Sequence, residues 1–352
     1  MDFTLLQGLG WGNDFTQQLD LEQLDSVRPA RVINVGRDHY RVDAGNGPIL
    51  ATLSGHFRYE HHGDADYPTV GDWVLLHESE AVITERLERR NLISRRGAGS
   101  TDVQALAANI DLLIITAGLD HEFNLHRIER YLVMAAQAGV TPMVILTKAD
   151  LCDEVEDRIA SVQQRLPAGA EVMAVNALTE PMAERLAHWL TPGTSIVVIG
   201  SSGVGKSTLI NNLAGQSLQA TAATRSDSKG RHTTTSRDLI RLPGGACIID
   251  VPGMREVGLA PTEGGVSRQF NSLTELAQHC RFSDCTHENE PGCAVRDAVE
   301  CGEVDPDEWQ HYLKLRAEER HNIAEHEKRR EGRIFGKMVR EVKAIKKQNR
   351  DA

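Results

Sequence analysis

Residues 195–208 read Ser-Ile-Val-Val-Ile-Gly-Ser-Ser-Gly-Val-Gly-Lys-Ser-Thr, and this stretch decides the fold class. The apolar run Ser195–Ile199 predicts a buried strand, Gly200–Ser207 satisfies the spacing GxxxxGK[ST], and a helical pattern follows. Glycines at 200, 203 and 205 let the backbone turn tightly, so that its N–H groups can surround a β-phosphate. The phosphate-binding set is therefore Gly200, Ser201, Ser202, Gly203, Val204, Gly205, Lys206, Ser207 and Thr208. Within it, Lys206 can reach the β- and γ-phosphate oxygens and Ser207 can place its hydroxyl on Mg²⁺. The helix starting at Ser207 directs its positive end at the anion. A glycine-rich turn with no ligand is the competing reading. The strand before it and the helix after it argue against that.

Downstream, the apolar run Ala246–Ile249 ends in Asp250-Val251-Pro252-Gly253. A carboxylate at the end of a buried strand can hold the Mg²⁺ water shell, and the Gly253 N–H can sense a γ-phosphate. Between the two motifs lies Lys229-Gly230-Arg231-His232-Thr233-Thr234-Thr235-Ser236, a polar loop suited to switching. One of its threonines can complete the Mg²⁺ shell, with Thr234 the candidate. Upstream, the strand Met143–Leu146 leads into Thr147-Lys148-Ala149-Asp150. Asp150 can accept both hydrogen bonds from guanine N1–H and the exocyclic amine, a donor pair that adenine lacks. The Lys148 stem can lie over the ring. Thr147 departs from the usual Asn of NKxD, although its hydroxyl can still make one bond. Asn176 and Ala177, after the next strand, are candidates for the loop that closes over the base.

The order of these motifs is informative. Ordinary GTPases place the phosphate loop first and the base motifs last, whereas here residues 147–150 and 176–177 precede 200–207, 230–236 and 250–253. Joining the original ends and cutting elsewhere preserves a sheet. The order is that of a circular permutation.

Around this centre the chain divides by pattern. Residues 1–27 are polar and acidic without a strong period and are expected to be a flexible lead-in. Residues 28–98 hold short β-rich runs at Arg31–Val35, His39–Val42, Ile49–Leu53, Asp72–Leu76 and Ala81–Glu85, with turn residues between them, as in a small all-β barrel of OB type. Trp73, in Thr-Val-Gly-Asp-Trp at 69–73, reads as a core aromatic. Residues 91–104 read as a linker. Over 99–262, apolar strands near Asp111–Thr116, Met143–Thr147, Glu171–Val175, Ser195–Ile199 and Ala246–Ile249 alternate with helical patterns at Leu125–Ala138, Glu154–Leu166 and Met182–Leu190. That pattern predicts a mostly parallel sheet covered on both faces. Residues 263–320 read as a helical metal-binding domain, and 321–352 as a basic helical tail. The fold class is thus an α/β P-loop domain in permuted order, flanked by an N-terminal barrel and a C-terminal helical domain.

Cys280, Cys285, His287 and Cys293 form C-x4-C-x-H-x5-C, three thiolates and one imidazole, which suits closed tetrahedral zinc ligation. Cys301 is a spare, while Cys152 and Cys247 read as buried small hydrophobes. Six cysteines in 352 residues are too few for a disulfide scaffold. The net charge of −11 would argue against a nucleic-acid partner, but the charge is uneven. Residues 321–352 carry ten Lys or Arg against five Asp or Glu, a net of +5, which leaves −16 for residues 1–320. No apolar run is long enough to span a membrane. The first 27 residues lack the basic start of a secretory signal, so a cytoplasmic location is expected.

Taken together, TKAD, GSSGVGKS, GRHTTT, DVPG, the Thr-Val-Gly-Asp-Trp region and the cysteine loop resemble the RsgA (YjeQ) family, circularly permuted GTPases that assist small ribosomal subunit assembly. The resemblance covers about residues 28–320. It implies GTP hydrolysis to GDP and phosphate, one structural zinc, Mg²⁺ with the nucleotide, and the small subunit with its rRNA as partner, alongside other assembly factors. A monomer without membrane attachment is expected. Lys206, His232, Asp250 and Gly253 form the expected catalytic set. Met254 stands where many GTPases keep a water-orienting glutamine, so slow intrinsic turnover is expected, with His232 as the substitute. The alternative function is an RNA-binding assembly module that uses GTP as a structural ligand.

Overall fold

The computed structural model describes residues 3–20, 26–61, 63, 65–97, 103–215, 237–251 and 258–348. The chain forms two compact units, residues 1–95 with 104–257, and residues 96–103 with 258–352.

The first unit begins with α1 (Phe3–Gln7) and α2 (Asn13–Thr16). A barrel follows: β1 (Val27–Val35), β2 (Tyr40–Asp43), β3 (Pro48–Leu53), α3 (Gly55–Glu60), β4 (Trp73–His77) and β5 (Val82–Arg86). The strands close in the order β1-β2-β3-β5-β4-β1, with β3 and β5 parallel. Alternation along each strand supplies the interior, which holds Ala30, Val32, Tyr40, Val42, Ala51, Val74, Leu76 and Ile83. The turn into β4 explains Thr-Val-Gly-Asp-Trp. Gly71 has φ +92°, and a Cβ there would meet the Ala108 carbonyl oxygen at 2.2 Å. Asp72 is fully buried, accepts from the Thr69 N–H at 2.7 Å, and receives two bonds from the Arg89 guanidinium at 2.8 and 2.7 Å.

The start of the chain corrects the reading of residues 1–27 as a flexible lead-in. Leu6, Leu9, Trp11 and Phe15 are all buried. The Trp11 ring meets Trp73 edge-on, with centroids 4.8 Å apart at 87°. Sparse aromatics carry no period, so this docking is invisible until the barrel offers Trp73. Arg31 is fully buried, its guanidinium carbon 5.7 Å from the centre of the Trp73 ring. Its guanidinium donates to the carbonyls of Leu9, Gly71 and Asn109 and, at 2.8 Å, to Ser195 Oγ. Burial holds its pKa below the usual arginine range.

The chain continues with β6 (Leu92–Arg96), β7 (Val103–Ala108), β8 (Leu112–Gly118), α4 (Leu125–Ala138), β9 (Thr141–Thr147), α5 (Val155–Gln163), β10 (Glu171–Ala174), α6 (Met182–Arg185), β11 (Ser195–Gly200), α7 (Lys206–Ala214), β12 (Asp238–Arg241) and β13 (Cys247–Asp250). Strands β10, β9, β8, β11 and β13 pair in parallel, and β12 joins antiparallel. Ile114, Ile145, Val198 and Ile248 lie in one fully buried cluster with Leu209 and Leu213 of α7. The helix α4 starts where Asn124 Oδ1 accepts from the Arg127 N–H at 2.8 Å and stops at Gly139, φ +68°. Two features differ from the sequence reading. The stretch 91–104 is not a plain linker, because β6 and β7 pair as a two-stranded sheet. The run Val-Gln-Ala-Leu-Ala-Ala in β7 has alanines that favour helix, and tertiary pairing overrides that preference. Nor is residue 98 a break between sheets, since β12 pairs with β1 through Asn34 and Asp238 and makes one sheet of eleven strands.

The second unit is helical: Gly265–Gln269, Asn271–Ala277, Ala294–Glu300 and the long helix Pro306–Gln348. Leu259, Val266, Phe270, Leu273, Val295, Tyr312 and Leu315 form its buried interior. Glu319 of the long helix accepts from the N–H groups of Gly265 and Val266, at 3.1 and 3.3 Å, which satisfies the first turn of that short helix. The long helix runs through residue 321 without interruption, so the expected tail is the continuation of a packed helix rather than a separate element. No described helix is long and apolar enough to cross a membrane.

Candidate nucleotide and metal sites

Parallel strands present their carboxyl ends along one edge, and the sequence motifs fall there. Gly200 closes β11 opposite Thr116, Thr147 closes β9 opposite Gly118, and Asp250 closes β13 opposite Val198. Such an edge is where open α/β sheets bind ligands. Gly200 has φ +151°, and a Cβ would stand 2.3 Å from the Thr116 carbonyl oxygen, so only glycine fits. A cleft of about 380 Å³ lies beyond it, lined by Ser202, Gly203, Gly205, Lys206, Ser207, Thr208 and Asp250. Lys206 is almost fully buried and donates to the carbonyls of Gly200 and Ser201 at 2.8 and 2.6 Å. Burial lowers its pKa, and the Asp250 carboxylate opposes that shift. An anion entering the cleft would offer this ammonium stronger partners than two neutral carbonyls.

Thr147 answers the question its departure from Asn raises. Its hydroxyl donates to the Val204 carbonyl in the middle of the phosphate loop, and it lies 3.3 Å from the Ala117 carbonyl oxygen. Lys148 follows in the left-handed region at φ +59°, with its ammonium 2.5 Å from Asp120. That hydrogen bond is the main reason the Asp120 carboxyl lies below the usual range. Asp150 is exposed. The Ala149 N–H donates to the Val175 carbonyl at 3.2 Å, which brings the two loops side by side. In the second loop, Asn176 N–H donates to Glu180 at 2.5 Å and Leu178 N–H to the Asn176 side chain at 3.1 Å. Ala177, between them, has no N–H bond among the described residues. An exposed carboxylate beside a spare N–H is able to take the donor edge and the carbonyl of one planar base.

Sequence motifs do not single out four further residues. Asp120 pairs with Lys148; Arg127 reaches Ser201 Oγ at 2.8 Å; the Tyr131 hydroxyl bonds the same serine, its pKa raised by burial; and Asn212 contacts the second loop. All four act on motif residues from elements distant in sequence. His232, Thr234 and Gly253 lie outside the described residues.

In the second unit, ligand atoms of Cys280, Cys285, His287 and Cys293 lie within 4.8 Å of one another and could hold a metal ion. His287 Nδ1 stands 3.5 Å from both the Cys280 and Cys293 sulfurs, which are 3.9 Å apart. His287 adopts φ +67°, a conformation rare for a residue with a Cβ, and it points the ring into the cluster. Without a cation the Cys285 thiol is pushed up to about 11, first by burial and then by the Cys293 and Cys280 thiols, against a backbone bond from His287. Glu290 supports the loop by accepting from the Thr286 N–H and hydroxyl at 2.9 and 2.6 Å, which drops its carboxyl to about 2. Cys301 is exposed and outside the group.

Comparison with known proteins finds relatives along nearly the whole chain. Residues 86–260 match the family model described as RsgA GTPase. The chain is 44% identical over 350 residues to Small ribosomal subunit biogenesis GTPase RsgA 2 of Vibrio parahaemolyticus, covering 99% of this chain and 95% of that protein. It is 42% identical to the protein called Small ribosomal subunit biogenesis GTPase RsgA in Xylella fastidiosa strain Temecula1, covering 90% and 94%. Among solved structures, YjeQ from Thermotoga maritima superposes with a TM-score of 0.60 at 26% identity, covering 83% of this chain and 98% of that one. YloQ, described as a circularly permuted GTPase, gives 0.57 at 22% identity over 86% and 98%, a likeness of fold. With the site motifs at one sheet edge and relatives of this identity along nearly its whole length, the chain belongs to the RsgA family of GTPases.

Proposed function

We propose that this chain hydrolyses GTP with Mg²⁺ during late maturation of the small ribosomal subunit, binding the particle and its rRNA and turning over slowly without it. The observation that carries the reading is the Thr147 hydroxyl on the Val204 carbonyl, which bonds the candidate base loop directly to the phosphate loop. Asp150 and the Ala177 N–H read guanine, residues Gly200–Thr208 hold the phosphates, and Ser207, Asp250 and Thr234 share the Mg²⁺. Lys206 and the Gly253 N–H stabilise the transferring phosphoryl group, and His232 orients the water.

The layout under this reading is an OB-type barrel over 28–98, a permuted GTPase domain over 99–262 and a zinc domain over 263–320, working as a cytoplasmic monomer. The barrel strand order supports the OB type. Exposed Arg37, His39, Arg41, Leu50 and Thr52 on β2, β3 and the turn before β2 give it a face suited to RNA. Zinc is the ion of the cysteine cluster. Bond lengths typical of zinc set tetrahedral edges of about 3.8 Å between sulfurs and about 3.6 Å from sulfur to nitrogen. The 3.9 and 3.5 Å separations sit close to them.

GTP turnover with and without purified small ribosomal subunits tests the proposal. Wild type should accelerate on the particle, and His232→Ala should bind GTP and particle normally while losing on the order of 10²-fold of that acceleration. Absence of turnover in both conditions would favour a binding module that holds GTP as a structural ligand.

A further inference from the structure

The helix α7 begins at the phosphate loop and carries Asn212 in its last turn, about 9 Å along its axis from Lys206. The Asn212 amide donates to the Ala177 carbonyl at 3.0 Å and to the Glu180 carbonyl at 2.8 Å. Its oxygen accepts from the Met182 N–H at 3.1 Å. Both donor hydrogens and the acceptor are thus directed at one short segment, residues 177–182. Leu209, Ile210, Leu213 and Ala214 are buried in the sheet-facing core and fix the rotation of the helix, so Asn212 is held in place by four neighbours.

That segment has no strand or long helix of its own to hold it. Its first residues are fastened internally: Asn176 N–H to Glu180 and Leu178 N–H to the Asn176 side chain. The Ala177 N–H remains without a partner among the described residues, while the Ala177 carbonyl is the atom Asn212 grips. The Ala177 N–H shares its peptide plane with the Asn176 carbonyl, which accepts from the N–H groups of Thr179 and Glu180 at 3.1 and 3.0 Å. Asn212 grips that small turn at the Ala177 and Glu180 carbonyls, so the direction of the N–H relative to the phosphate helix is set by a residue of that helix.

We propose that Asn212 is a positioning residue for base selection, aiming the Ala177 N–H at the 6-oxo group of guanine and locking the base loop to the helix that carries the phosphates. The inference rests on the guanine reading of Asp150 and Ala177 given above. It makes recognition of the two ends of the nucleotide mechanically common: α7 takes the phosphates at its N-terminus and holds the base loop from its far end. Asn212 touches no ligand itself.

The test compares binding of GTP with that of 6-thioguanosine triphosphate, which keeps N1–H and the exocyclic amine for Asp150 and replaces the 6-oxo group with a poorer acceptor. Wild type should prefer GTP. In Asn212→Leu, GTP affinity should fall on the order of tenfold, the weight of one well-aimed ligand hydrogen bond. The thio analogue should change by less than about twofold, so the preference collapses. Asn212→Asp, equal in volume and still able to accept from Met182 N–H, covers the case in which the leucine variant fails to fold, and it should show the same collapse. Equal losses for both nucleotides would mean general loop damage and overturn the proposal, as would unchanged affinities. A wild type that does not distinguish the two nucleotides would instead remove the Ala177 reading itself. The xanthosine exchange at Asp150 described below checks the other half of base recognition separately.

Discussion

At the residue scale, the site depends on a few atoms whose alternatives are sterically or electrostatically closed. Thr147 stands where an asparagine is usual, yet its hydroxyl ties the base strand to Val204, so the substitution keeps the mechanical link with a shorter arm. In the proposed function Asp150 reads the base. Replacing it with asparagine exchanges one acceptor oxygen for an NH₂ donor, which faces the guanine amine unfavourably but suits the added carbonyl of xanthine. Asp150→Asn should therefore weaken GTP binding by roughly 10- to 100-fold, the range for losing bonds to a charged acceptor, and improve binding of xanthosine triphosphate. Titration with the two nucleotides decides it. Unchanged GTP affinity would leave Asp150 as an ordinary residue at a strand end. Two residues before it, Lys148 is held by Asp120 at 2.5 Å.

At the element scale, strands and the longer helices follow from periodicity, and the exceptions have causes. β8, β9 and β11 carry unbroken apolar runs, Leu112–Ile115, Met143–Leu146 and Ile196–Ile199, because both faces are covered. The predicted helix Leu125–Ala138 is met residue for residue, since Asn124 and Gly139 give it chemical boundaries. β7 and the opening helices escape such reading. α1 and α2 are too short to show a period, and what holds them is Trp11 and Phe15 against Trp73. That contact is large. Trp11→Ala should lower the unfolding free energy of this unit by about 3–5 kcal/mol, the usual range for removing a buried tryptophan. Urea denaturation gives the midpoint shift. A change below about 0.5 kcal/mol, the level of a surface substitution, would mean that the segment is not docked.

At the scale of the whole molecule, the two units rely on different sources of stability. The first has a continuous eleven-stranded sheet and extensive apolar clusters. In the second, the loop around Cys280–Cys293 brings together three thiols and an imidazole that could hold a metal ion, and the proposed zinc would supply stability there. Chelation should therefore unfold residues 258–348 preferentially. Amide exchange should rise there and stay near its original level in β8, β9 and β11. One zinc per chain should be found in freshly purified protein by elemental analysis. Protein that lacks zinc as purified and whose exchange is indifferent to chelators would sink this expectation. His287, in its left-handed backbone conformation, fits a loop shaped around a metal rather than around its own packing.

The sequence by itself determined the chemistry: which residues can meet phosphate, guanine and a thiophilic ion, and in what order along the chain. These are local facts, because a phosphate loop or a cysteine cluster needs only close spacing and the right flanking elements. Tertiary structure decided what joins them. The Thr147–Val204 bond, the Asp120–Lys148 pair, the Asn212 grip on Ala177 and the docking of Trp11 on Trp73 link residues 28 to 62 positions apart. No local pattern encodes such pairs, since each depends on where the assembled sheet and barrel bring segments that are distant in sequence. The sequence supplied each side chain with a capacity, and the sheet determined which partner satisfied it.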